Sequence, residues 1–113
     1  MLSKEQIEFY NENGYLMVEN VLTPDQLARL REISYDFIDK SRAVTTSDDV
    51  FDLDEGHSAQ TPKLTRIKLP HKQHPYYWEI AKNSRITEVL RQLLGPDVLL
   101  QTSKLNTKAP GGG

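Results

Sequence analysis

A chain of 113 residues is enough for one small domain with a modest core, because a protein of this size buries roughly two thirds of its unfolded surface. With 16 acidic side chains against 14 Lys and Arg, a formal charge of -2, there is no basic footprint to attract nucleic acid or an anionic membrane. The absence of cysteine excludes disulfides and thiolate metal sites, and no run is apolar enough for a leader or a membrane span, so a cytoplasmic protein is expected.

Ser3-Lys4-Glu5-Gln6 has the form of a capping box and predicts a first helix over about 4–13, stopped by Asn13-Gly14. Tyr15-Leu16-Met17-Val18 reads as a short strand. A second box, Thr23-Pro24-Asp25-Gln26, combines a capping threonine, a proline at the first helical position and an acid in the first turn. Leu27, Leu30, Ile33 and Phe37 then carry a helical period to about Lys40. Residues 41–63 are polar and aperiodic, and they are expected to form a long loop, as lids and substrate-facing segments often do. Leu64 to Leu69 alternates as a strand, with Leu64, Arg66 and Lys68 on one side and Thr65, Ile67 and Leu69 on the other. His74-Pro75 opens a short aromatic helix, and Asn83-Ser84 caps a further helix that stops at Gly95-Pro96.

The stretch from Val98 onward predicts a terminal strand that runs into Pro110 and three glycines. Alternation places Thr102, Lys104, Asn106 and Lys108 on one face and Gln101, Ser103, Leu105 and Thr107 on the other. Two amines, an amide and a hydroxyl on one face are ordinary in water, but they are costly when buried unless they bind an anion or another hydrogen-bonding ligand. With Arg66 in the same sheet, Arg66, Lys104 and Asn106 converge on one carboxylate if that face points inward.

Other constellations are weaker. Asp52-Leu53-Asp54-Glu55-Gly56 lacks the spacing and distal glutamate of a calcium loop. His71 and His74 are three apart, but Pro70 and Pro75 bracket them and argue against a helix aiming both at one metal. His57 has no partner at useful spacing, and Tyr76-Tyr77-Trp78 is explained by packing of a short helix. No nucleophile elbow or phosphate-cradling loop is present.

The opening EQIEFYNENGYLMVENVLTPDQLARLR, the strand LTRIKL, the segment ITEVLRQLLGPDVLL and the terminal KLNTKAPGGG follow one another in an informative order and spacing. Together they resemble the N-terminal part of the phytanoyl-CoA dioxygenase family, non-haem iron enzymes dependent on 2-oxoglutarate. The resemblance implies an α+β chain in which N-terminal helices precede the first strands of a double-stranded β-helix, or jelly roll, with residues 1–113 forming the N-terminal part of one domain. It also implies iron(II) held by a His-x-Asp pair and a distant histidine, with open positions for 2-oxoglutarate and oxygen. No His-x-Asp or His-x-Glu occurs in this sequence, so the resemblance implies iron ligands outside the chain, no metal or catalytic residue within it, and no turnover by this piece alone. The positions similar to the family's cosubstrate pocket are Arg66, Thr102, Lys104 and Asn106.

The expectation is therefore a segment of a dioxygenase hydroxylating a small-molecule or acyl substrate, binding neither iron nor 2-oxoglutarate tightly by itself. The competing expectation is a short, non-catalytic helix-and-strand module that binds a protein partner or self-associates through unpaired strand edges.

Overall fold

The computed structural model describes residues 1–111. Helix α1, Lys4–Asn13, begins at the Ser3 box: the Gln6 amide donates to Ser3 Oγ at 3.1 Å and the Ser3 amide donates to Gln6 Oε1 at 2.8 Å. It ends at Gly14, whose φ of 80° is the left-handed conformation that glycine adopts without steric cost. Helix α2, Pro24–Lys40, repeats the box with Thr23 and Gln26 at 3.1 and 2.9 Å, then tightens into a 3-10 turn over Ser41–Ala43.

Three strands follow: β1 (Phe51–Leu53), β2 (Leu64–Lys68) and β3 (Lys104–Asn106), ordered β1-β2-β3 and antiparallel throughout. Between β2 and β3 lie α3 (Pro70–Gln73), α4 (Pro75–Asn83) and α5 (Arg85–Leu94). The protein is thus α+β, with helices and a three-stranded antiparallel sheet.

The register sorts the sheet into two faces. Phe51 pairs with Ile67, which pairs with Leu105, so these three side chains share one face. Asp52 pairs with Arg66, which pairs with Asn106, and Lys68 pairs with Lys104, so the other face is polar. A bulge between Asp52 and Leu53 sets Leu53 opposite Leu64, returning Leu64 to the apolar side despite its odd offset from Ile67. Phe51, Leu64 and Ile67 form the buried core, and Phe37 and Ile38 of α2 pack against it with Val44, Val50, Leu53 and Leu105. Helix α2 therefore covers the apolar face. The Tyr77 hydroxyl and Ser34 Oγ, 2.7 Å apart, tie α4 to α2.

Three expectations need correction. Residues Tyr15–Val18 are not a strand: no strand among the described residues pairs with them, and Tyr15 and Met17 are exposed. An alternating pattern supplies a face, but a strand also needs a neighbour for its N–H and C=O groups. The segment expected as an unbroken loop contains β1. Asp48 builds it, accepting from the Val50 and Phe51 amides at 2.8 Å each, while Ser47 Oγ accepts from Leu53 at 3.0 Å. These contacts occupy the outward amides of β1 and so close that sheet edge with the protein's own loop. The terminal strand is shorter than expected, since pairing begins at Lys104 and residues 98–103 precede the ladder. The turn at Pro110-Gly111 is described, whereas Gly112 and Gly113 lie outside the described residues.

Candidate anion-binding pocket

The polar face of the sheet opens onto a pocket of about 400 Å³. Its lining comes from the end of β2 (Arg66, Lys68 and Leu69), the lead-in and start of β3 (Thr102, Ser103 and Lys104), and Asp49. Of Arg66, Lys104 and Asn106, expected to converge on one carboxylate, Arg66 and Lys104 are brought together here, along with Thr102 from the same expected face. Asn106 is not part of the lining, yet its Oδ1 accepts from Arg66 Nε at 3.4 Å and steadies the guanidinium from behind.

Besides Leu69, three polar lining residues were missed. Lys68 was legible, standing two residues from Arg66 on the same face. Ser103 was expected opposite Thr102 and Lys104. It reaches the pocket because strand alternation applies only once the ladder starts, one residue later. Asp49 comes from the β1 loop and carried no periodic signal. Lys108 lies past the end of β3 and does not join the site.

The charges are unevenly matched. Asp52 serves two cations, with its oxygens 3.1 Å from Lys68 Nζ and 3.6 Å from an Arg66 guanidinium nitrogen. Lys68 Nζ also donates to the Asp48 carbonyl at 2.7 Å. Asp48 itself is held below the ordinary carboxylate range, first by the Phe51 amide, then by that of Val50, with Lys68 adding to them. Lys104, directly across the ladder from Lys68, has no ion-pair partner among the described residues. Asp52 thus answers both Arg66 and Lys68, and Lys68 is also within the field of Asp48, so the cation left without a carboxylate partner and available to an anion is Lys104.

The histidines are engaged elsewhere. His57 Nε2 lies 3.0 Å from the carbonyls of Ser41 and Val44, and its Nδ1 accepts from the Lys63 amide at 3.0 Å, which makes it a staple for the loop before β2. His74 caps α4 by accepting from the Tyr76 amide at 3.0 Å. His71 faces Ser103, with Nδ1 and Oγ 2.5 Å apart. Pro70 does start a helix, contrary to expectation, but it is a single turn, and His71 and His74 serve separate partners. Among the described residues, no three His, Asp or Glu side chains gather as a group able to hold a metal, and no helix is long and apolar enough to cross a membrane. Two other concavities, about 360 Å³ beside α1 and about 470 Å³ along α2, lack convergent donors of this kind.

Residues 10–113 match the family model described as Phytanoyl-CoA dioxygenase (PhyH). The chain is 24% identical over 112 residues to a probable alpha-ketoglutarate-dependent hypophosphite dioxygenase of Stutzerimonas stutzeri, covering 99% of this chain and 39% of that protein. An ectoine dioxygenase of Sphingopyxis alaskensis is 26% identical over 97% of this chain and 34% of its own length. The peroxisomal phytanoyl-CoA dioxygenase of Rattus norvegicus is 25% identical over 100% of this chain and 34% of its own. The chain thus spans between about a third and two fifths of the length of these curated relatives. With nearly all of its residues matched, the chain belongs to the phytanoyl-CoA dioxygenase family.

Proposed function

We propose that these residues form the cosubstrate-binding wall of an iron(II)- and 2-oxoglutarate-dependent dioxygenase that hydroxylates a small-molecule or acyl substrate. The observation that carries this reading is Lys68 placed directly opposite Lys104, with Arg66 on the same face of β2. Like charges opposed across two strands destabilise a sheet; Asp52 already answers Lys68 from β1, and an anion beside Lys104 would remove what is left of the penalty. 2-Oxoglutarate carries a carboxylate at each end. Arg66 offers one of them a planar fork of donors, Lys68 and Lys104 offer point charges, and the hydroxyls of Thr102 and Ser103 suit the remaining lone pairs.

By their names the relatives act on unlike compounds, namely hypophosphite, ectoine and phytanoyl-CoA. What this chain shares with all three is therefore better explained by a common cosubstrate than by a common substrate pocket. The sheet also suits one wall of a jelly roll: α2 covers its apolar face from outside, and its polar face is left for the interior. The residues present fit 2-oxoglutarate but not iron, because no metal-holding group forms among the described residues and the sequence has no His-x-Asp pair. Residues outside these 113 would hold the iron, which supplies the oxidising chemistry when bound. This chain's part is to hold and orient an anion.

The test is a titration of 2-oxoglutarate into the isotopically labelled 113-residue chain, followed by amide NMR. Weak binding is expected, in the range of about 1 mM, with shifts at Arg66, Lys68 and Lys104. Arg66→Ala should weaken it roughly tenfold, as loss of one charge-assisted contact would. Wild-type affinity in both Arg66→Ala and Lys104→Ala would sink the proposal.

A further inference from the structure

We infer that His71 is a positioning residue for this pocket: by latching Ser103, it sets where Thr102 and Lys104 stand. The inference rests on reading the pocket as an anion site.

The starting point is a gap in the sheet. Pairing of β3 with β2 begins at Lys104, so the residues before it have no ladder to place them, yet Thr102 and Ser103 line the pocket. A side-chain contact takes the ladder's place. His71 Nδ1 lies 2.5 Å from Ser103 Oγ, and the His71 backbone amide donates to the same oxygen at 3.5 Å. An oxygen accepting from that amide keeps both its own proton and a second lone pair, so it can donate to Nδ1 or accept from it, and the latch holds with the imidazole in either tautomer.

His71 is in turn fixed on three sides. Leu69, at φ 45°, turns the chain sharply off β2, and Pro70 starts α3 immediately after it. Gln73 Nε2 donates to the Lys68 carbonyl at 3.0 Å, fastening the far side of α3 to the end of β2. The Trp78 ring of α4 stands 6.1 Å from the imidazole, centroid to centroid. One helical turn therefore clamps the end of β2 and the lead-in of β3 at the rim of the pocket, where Leu69 and Ser103 both face the cavity. The spacing between the Arg66-Lys68 side and the Thr102-Lys104 side depends on this clamp, so His71 tunes anion affinity without touching the anion.

The test compares wild type, Ser103→Ala, His71→Phe, His71→Asn, the Ser103→Ala/His71→Phe double variant, Arg66→Ala and Lys104→Ala as labelled 113-residue chains. Without ligand, backbone order parameters at Thr102 and Ser103 should fall from about 0.8 to below about 0.6 in Ser103→Ala and His71→Phe, with those of α2 unchanged. Titrated with 2-oxoglutarate, each single variant should bind about fivefold more weakly, and the double variant no worse than either, since one interaction is removed in all three. His71→Asn, whose amide oxygen can accept the Ser103 proton, should recover most of the affinity. Unchanged order parameters in both variants, losses that multiply in the double variant, or an asparagine variant no better than phenylalanine would each overturn the inference. If Arg66→Ala and Lys104→Ala both bind 2-oxoglutarate like wild type, the anion site fails instead, and the ligand-free order parameters still decide whether the latch exists.

Discussion

At the scale of single residues, position in the sheet decides which apolar side chains matter. Ile67 has 0% exposure at the centre of the core, whereas Leu99 is 92% exposed on the unpaired lead-in to β3. Truncating Ile67 to alanine removes buried methyl groups and leaves a void between the sheet and α2, at a cost of about 2–5 kcal/mol. Leu99→Ala should change stability by less than about 0.5 kcal/mol, as exposed substitutions usually do. Urea unfolding of the two variants checks both values. The same contrast separates the histidines, which are alike in sequence. His57 spends both ring nitrogens on backbone groups of its loop, and His71 spends one on the wall of the pocket.

At the scale of elements, the seam between α2 and α4 is tied by the Tyr77 phenol, beside the Arg29 guanidinium over the Tyr76 ring. Tyr77 packs 6.2 Å from the Phe37 ring, centroid to centroid, and shares a hydrogen bond with Ser34. Burial pushes its pKa above the ordinary 10.0, and the Ser34 hydrogen bond only partly offsets the rise. The folded state therefore favours the neutral phenol more than the unfolded chain does. The stability this contributes is complete below pH 10 and is lost as pH rises through the folded value. Thermal melts between about pH 9 and 11 should show wild type losing more stability than Tyr77→Phe, which has no proton to lose. Near neutrality, Tyr77→Phe should cost about 1 kcal/mol for the lost hydrogen bond. Parallel pH profiles for the two proteins would remove Tyr77 as the cause.

At the scale of the whole molecule, the shape is elongated. The radius of gyration is 16.8 Å and the extents are 50 × 28 × 26 Å, against about 13 Å for a compact chain of this length. Among the described residues the buried apolar side chains are few, namely Ile33, Phe51, Leu64 and Ile67 with Pro70, and Met17, Leu94 and Leu99 are well exposed. Little apolar surface is thus released on unfolding, and the urea m-value should lie near the bottom of the usual range, about 1 kcal/mol/M. An m-value near about 2, rising with protein concentration, would mean that the exposed faces are covered by association in solution.

Much of the helical framework could be read from the residues alone, because capping is local chemistry. Ser3 with Gln6, Thr23 with Gln26 and the stops at Gly14 and Gly95 each involve groups a few positions apart. Alternation also identified β2 and put Arg66 and Lys104 on a common face. The tertiary structure decided what depends on a distant partner: β1 exists because Phe51 meets Ile67, and Tyr15–Val18 has no strand beside it among the described residues. Likewise, Ser103 enters the pocket because His71, 32 residues away in sequence, holds it there. A helix end carries its own partners, whereas a strand or pocket wall is completed only when chain closure brings remote groups together.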